Sequence, residues 1–260
     1  MKFIVAVDCE GVACAVGSPG ASLNESRDLE FAKLQATREA DACARGFFDA
    51  GAEQVIIWDN HNGSLNLHYD LLDERCDIAL GVGFAHRFPG LDTSYAGVAF
   101  IGYHAMGNTE DAVICHTFSS ATYQYVKINE AEVGEMGIDG AVAGSHGVPV
   151  VLVASDDKGT TEARRFFHDV ETVTTKNALG WNAAISKHPQ RAITEIRAAA
   201  RAAAERLDDF APFTFSEPLS LEIRYKRIED AQAASRGFRA GERVDPYTVH
   251  WKLDQLADYF

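Results

Sequence analysis

The chain has 260 residues, 47% of them apolar, enough to bury a substantial core as one large domain or a domain with an appended lobe. Its formal charge is −14, from 38 acids against 24 lysines and arginines with no basic run, which argues against a nucleic-acid surface. No apolar run reaches the length of a membrane span, Met1-Lys2-Phe3 leads straight into a strand, and five scattered cysteines form no CxxC pair, so a cytoplasmic, reducing location is expected.

Apolar runs of strand length alternate with helical stretches, which predicts an α/β fold with a largely parallel or mixed central sheet flanked by helices. Phe3 to Asp8 reads as the first strand, and Leu29 to Ala50 as a helix stopped by Gly51. Gln54 to Asp59, Asp77 to Val82 and Gly97 to Tyr103 read as further strands. Thr122 to Ile128 alternates polar with apolar residues and could close a hairpin at Asn129-Glu130. Val133 to Ala143 reads as a helix, and Val148 to Ala154 as a parallel strand expected to end the core sheet. Pro189 starts an alanine-rich helix reaching about Leu207. Leu219 to Tyr225 alternates as a strand, and Pro246 to Phe260 reads as a short strand or turn followed by a helix. Residues 1–173 are expected to form an α/β core and 174–260 a smaller C-terminal α/β lobe, or the two one continuous domain.

The chemistry starts where the first strand ends. Asp8 and Glu10, two apart in an extended segment, point to the same side while Cys9 faces the other way. Two carboxylates beside an apolar core repel each other unless a cation, a hydrogen-bond network or a shared proton compensates. Three histidines read as following strands in the same manner: His61 after Val55 to Asn60, His104 after Phe100 to Tyr103, and His116 after Ala112 to Cys115. Residues beyond the carboxyl ends of parallel strands gather in one crevice, so these distant groups are expected to meet. Such a mixture of carboxylates and imidazoles suits zinc or a similar divalent ion.

Val7-Asp8-Cys9-Glu10-Gly11, Asp59-Asn60-His61, Gly102-Tyr103-His104-Ala105, His116 and Val133-Gly134-Glu135 together resemble the dinuclear-zinc D-aminopeptidase family. The match in order and spacing runs through roughly the first 160 residues and continues more loosely around Thr174-Thr175-Lys176. The resemblance implies two zinc ions, with Asp8 bridging them and Glu10, His61, His104 and Glu135 as the remaining ligands. It makes His116 the catalytic histidine, assisting a zinc-activated hydroxide in cleaving the N-terminal amide of a short peptide, with a preference for D-residues. It also implies a homo-oligomer, a decamer of stacked pentamers. Asp59, Asp156 and Asp157 are candidates for holding the substrate amine or supporting the histidines, with strand-end capping as the alternative. Competing readings are an amidase of other specificity, a metal phosphoesterase, disfavoured by the lack of a glycine-rich or basic phosphate cradle, and a non-catalytic metal-stabilised scaffold.

Overall fold

A computed structural model describes residues 1–237, 239–256 and 259–260. In chain order the first half contains β1 (Lys2–Val7), α1 (Leu29–Asp49), β2 (Gln54–Asp59), β3 (Asp77–Ala79), β4 (Gly97–Ile101), β5 (Tyr123–Ile128) and β6 (Ala131–Glu132). Then come α2 (Glu135–Ser145), β7 (Val150–Ser155), α3 (Asp157–Phe166), β8 (Glu171–Thr174), β9 (Lys176–Gly180), β10 (Ala183–Ser186) and α4 (Pro189–Ala204). The chain closes with β11 (Leu219–Tyr225), α5 (Ile228–Ala234), β12 (Glu242–Arg243) and β13 (Thr248–Leu253).

A six-stranded parallel sheet in the order β3-β2-β1-β4-β7-β8 forms the centre, and a five-stranded antiparallel sheet runs β12-β13-β11-β5-β6. The sequence of β1 explains why it lies in the middle. Phe3, Val5 and Val7 pack with α1 and α4, whereas Ile4 and Ala6 pack on the opposite face with α2, β11 and β13. Both faces are covered, so the strand needs no polar alternation. Each such Val, Ile or Phe contributes about 1.5–3 kcal/mol by leaving water.

Several elements depart from the sequence expectation. The parallel sheet does not end at β7, because β8 pairs outside it with Ser155 opposite Thr174. Its short Glu-Thr-Val-Thr sequence carries only one fully buried side chain, Val173, as befits a sheet edge. Ala112 to Cys115 is not a strand: Ile114 has a positive φ and its N–H donates to the carbonyl of Trp181 in the β9–β10 turn, leaving no ladder to join. The helices α3 and α5 and the β9–β10 hairpin were not anticipated. In the tail, the expected strand is β13, while the expected helix falls partly on residues 257 and 258, outside the described residues.

The Asn129-Glu130 turn does close a hairpin between β5 and β6, both residues having positive φ. Yet the main partner of β5 is β11, with Ile128 opposite Leu221. Strands from the middle and from the C-terminal part of the chain thus build the antiparallel sheet, and α4 packs along α1.

Candidate metal centre

The strand order reverses between β1 and β4, and in open α/β sheets a crevice opens at such a point beyond the carboxyl ends. The exits of these two strands are clasped together. The N–H of Asp8 donates to Ile101 O (2.8 Å) and that of Gly11 to Gly102 O (2.6 Å). A Cβ on Gly11 would stand 1.8 Å from Tyr103 O; Gly102 has φ +73° and a Cβ there would stand 2.1 Å from Asp8 O. Only glycines permit this approach, and it sets Asp8 beside His104, with Oδ2 and Nε2 3.5 Å apart.

The loop after Glu10 is fixed from the far end of the chain. Lys176, fully buried, donates its ammonium hydrogens to the carbonyls of Glu10 and Val12, and the Thr175 hydroxyl donates to Gly11 O. Cys14 N–H donates to Ser186 Oγ at 2.8 Å. Glu10 therefore faces the crevice on an anchored backbone.

His61 leaves β2 with Nδ1 2.8 Å from Asp8 Oδ1 and 3.2 Å from Glu10 Oε2, and Nε2 2.9 Å from Asn24 Oδ1. His104 Nδ1 donates to Ala105 O at 2.9 Å, which turns its Nε2 toward Asp8 Oδ2 and, at 3.4 Å, Glu135 Oε1. Glu135 opens α2, where the helix dipole favours a carboxylate, and accepts the N–H of Phe118 at 2.7 Å. His116 comes from a loop rather than a strand end. Its Nδ1 donates to Ile114 O (2.8 Å), its ring stacks on His104 at 4.0 Å, and its Nε2 lies 3.9 Å from Glu135 Oε1.

All six predicted site residues therefore converge. Asp8, Glu10, His61, His116 and Glu135 line a cleft of about 250 Å³, with His104 packed behind them. Two subsets have ligand atoms mutually within 4.8 Å: Asp8, Glu10 and His104, and His104, His116 and Glu135. The second includes His116, the residue expected to be free of metal duty.

The electrostatics fit a cation. Burial, and then the neighbouring Glu10, push the Asp8 carboxyl up, to about 7. Burial opposes ionisation of Glu10 and Glu135 as well, but the His61 charge holds Glu10 well below its usual range, and His104 holds Glu135 down, at about 2. Burial works against the charged form of His61, and Glu10 and Asp8 outweigh it, raising His61 to about 11. Glu10 Oε2 is buried without a hydrogen-bond partner among the described residues. Carboxylate oxygens and imidazole nitrogens gathered this closely in a buried crevice are the donor set of a divalent ion once the imidazole protons leave.

The three further aspartates act as caps. Asp59 accepts the N–H groups of Asn66 and Leu67 and the Tyr69 hydroxyl, Asp156 caps α3 through Gly159 N–H, and Asp157 accepts Ala178 N–H. The sequence reading missed Asn24, in a 3-10 turn spanning Leu23–Glu25, and Arg87, in the loop between β3 and β4, which also line the cleft from segments that carry no periodic or strand-end signal.

Carboxylates and imidazoles at the switch point of a parallel sheet define the chain as an α/β protein with a candidate hydrolytic metal centre. Comparison with known proteins specifies it further. The Peptidase M55 family model, described as D-aminopeptidase, matches residues 1–260. A D-aminopeptidase of Bacillus subtilis (strain 168) is 30% identical over 238 residues, covering 90% of this chain and 85% of the relative. The solved structure of DppA from Bacillus subtilis, a Zn-dependent D-aminopeptidase described as a self-compartmentalizing protease, superposes with a TM-score of 0.91 at 26% identity, covering 99% of this chain and 93% of that one. The chain belongs to the D-aminopeptidase family and is a peptide hydrolase of the aminopeptidase class.

Proposed function

We propose that Asp8, Glu10, His61, His104 and Glu135 hold two zinc ions, with Asp8 shared between them, and that this centre removes the N-terminal residue, preferentially a D-amino acid, from short peptides. The observation that carries the reading is the division of Asp8: Oδ1 faces His61 and Oδ2 faces His104. One carboxylate thus addresses two imidazoles that come from different strands, the arrangement two ions would require.

When bound, the ions supply Lewis acidity for the scissile carbonyl and lower the pKa of an attacking water. The chain's own groups do the rest. His116 has its Nδ1 proton committed to Ile114 O, which leaves the Nε2 lone pair to take a proton and deliver it to the leaving amine. Asn24 orients His61, and the Ala105 carbonyl orients His104, each through the ring nitrogen turned away from Asp8. The carboxylates favour a substrate that arrives with its ammonium group forward.

Purified protein is expected to carry about two zinc equivalents and to cleave D-alanyl amide and D-Ala-D-Ala faster than the L-isomers. His116→Ala should lower kcat by about 100-fold or more while zinc is retained. Normal turnover in that variant would remove His116 from the mechanism, and a zinc-free, inactive wild type would sink the whole reading.

We further propose a closed homo-oligomer, a decamer as the family resemblance implies. Leu179 and Ile185 on the β9–β10 hairpin, and Val82 and Phe84 before β4, are exposed apolar side chains that such contacts would cover. Light scattering giving a monomer at micromolar concentration would refute this. Five free cysteines support a cytoplasmic location, and no helix among the described residues is long and apolar enough to cross a membrane.

A further inference from the structure

Arg87 stands on the wall of the same cleft, in the loop between β3 and β4. Its Nε and Nη2 pair with the two oxygens of Asp139, a fully buried residue of α2, and Nη2 also donates to Asn60 Oδ1 at 3.1 Å. The guanidinium lies 5.2 Å from the ring centres of both Trp58 and Phe118. Tyr103 and Asn60 complete the frame: the Tyr103 hydroxyl donates to Asp139 Oδ2 (2.7 Å) and receives the Asn60 amide (2.8 Å). Every contact holds the group rigid, yet among the described residues Nη1 has no hydrogen-bond partner.

Arg87 is the permanent cation among the cleft-lining side chains, in a chain of net charge −14. Phe118, over which it sits, donates its backbone N–H to Glu135. The cleft therefore has polarity, with carboxylates at one end and a preorganised guanidinium on the wall. A short peptide has the matching polarity, an ammonium at one terminus and a carboxylate at the other. In a dipeptide the carboxylate lies one residue, about 3.8 Å of chain, past the scissile bond.

We propose that Arg87 is a specificity-determining residue that receives, through Nη1, the C-terminal carboxylate of a dipeptide, so that the protein prefers free dipeptides to their C-terminal amides. The inference rests on the aminopeptidase reading of the same cleft. If Arg87 served only to neutralise Asp139, the terminal group of the ligand would be of no consequence.

The test is calorimetric binding of D-Ala-D-Ala and D-Ala-D-Ala-amide to the zinc-loaded His116→Ala protein, which slows turnover. The free acid is expected to bind about 10- to 100-fold more tightly, the strength of a charge-assisted pair. Introducing Arg87→Gln should bring the ratio to near one, and Arg87→Lys should restore part of it. Should Arg87→Gln alone strand Asp139 and fail to fold, Arg87→Gln with Asp139→Asn removes the charge pair as a unit and is read in the same way. A ratio near one in the Arg87-intact protein, or a ratio unmoved by either glutamine variant, overturns the proposal. Cleavage of D-Ala-D-Ala and D-alanyl amide by the wild type is scored separately: absence of both activities defeats the aminopeptidase reading, while the binding ratio still decides the role of Arg87.

Discussion

His61 is gripped at both ring nitrogens, by Asp8 and Glu10 on one side and by Asn24 on the other. Asn24→Ala removes only the outer grip and should weaken zinc binding by about 10- to 100-fold with little change in fold. Competition with a fluorescent chelator measures this, and unchanged affinity would leave Asn24 without a role. Glu39 gives a second residue-level expectation. It is buried in α1, accepts the Ala13 N–H (3.0 Å) and the Gln35 amide (2.8 Å) through Oε1, and has no partner for Oε2 among the described residues. Burial pushes its carboxyl up from the ordinary 4.5 to about 7. The folded state thus favours the protonated acid, so this contribution to stability is full below about pH 4.5, is lost as pH rises to about 7, and stays flat above. Glu39→Gln keeps an acceptor for both donors and abolishes the titration. Its stability relative to wild type should rise between about pH 5 and 8, by up to about 3 kcal/mol in urea denaturation. A pH-independent difference would contradict the assignment.

At the scale of elements, the clasp between the exits of β1 and β4 is among the least tolerant parts of the fold. Gly11→Ala would force a methyl into the Tyr103 carbonyl, and a loss of several kcal/mol, more than about 3, is expected along with loss of the metal centre. Thermal unfolding and zinc content check this together, and a stable, zinc-loaded variant would refute it. The sequence displayed this element in part. The apolar run of β1, the helical spacing of α1 and the strand-end positions of Asp8, Glu10, His61 and His104 were legible because period and position together imply where side chains meet. Other features depend on contacts distant in sequence. The polar β8 has no pattern of its own and is a strand only because β7 offers an edge. His116 follows an apolar run, Ala112 to Cys115, that joins no sheet, so it reaches the centre for a reason other than the one its sequence suggested. Arg87 arrives from an aperiodic loop, and its partner Asp139 is an acid inside a helix that is otherwise apolar and glycine-rich from Met136 to Gly144, a mismatch that could have flagged it.

Over the whole molecule, ions bound only by the folded state should stabilise it by mass action. Stripping them with a chelator is expected to lower Tm by on the order of 10 °C, reversed by zinc. An unchanged Tm would show that the carboxylates are compensated without metal. The anchoring of the Glu10 loop by Thr175, Lys176 and Ser186 also bears on biosynthesis. The ribosome delivers Asp8 and Glu10 first, but the braces that fix their backbone leave the exit tunnel some 165 residues later, the separations between these partners being 164 to 172. A nascent chain or a fragment ending before Lys176 carries all six candidate site residues of the centre and lacks the ammonium that holds Glu10 in place. Ordering of the centre is thereby tied to synthesis of the chain through Ser186, well past the last of its candidate ligands, Glu135.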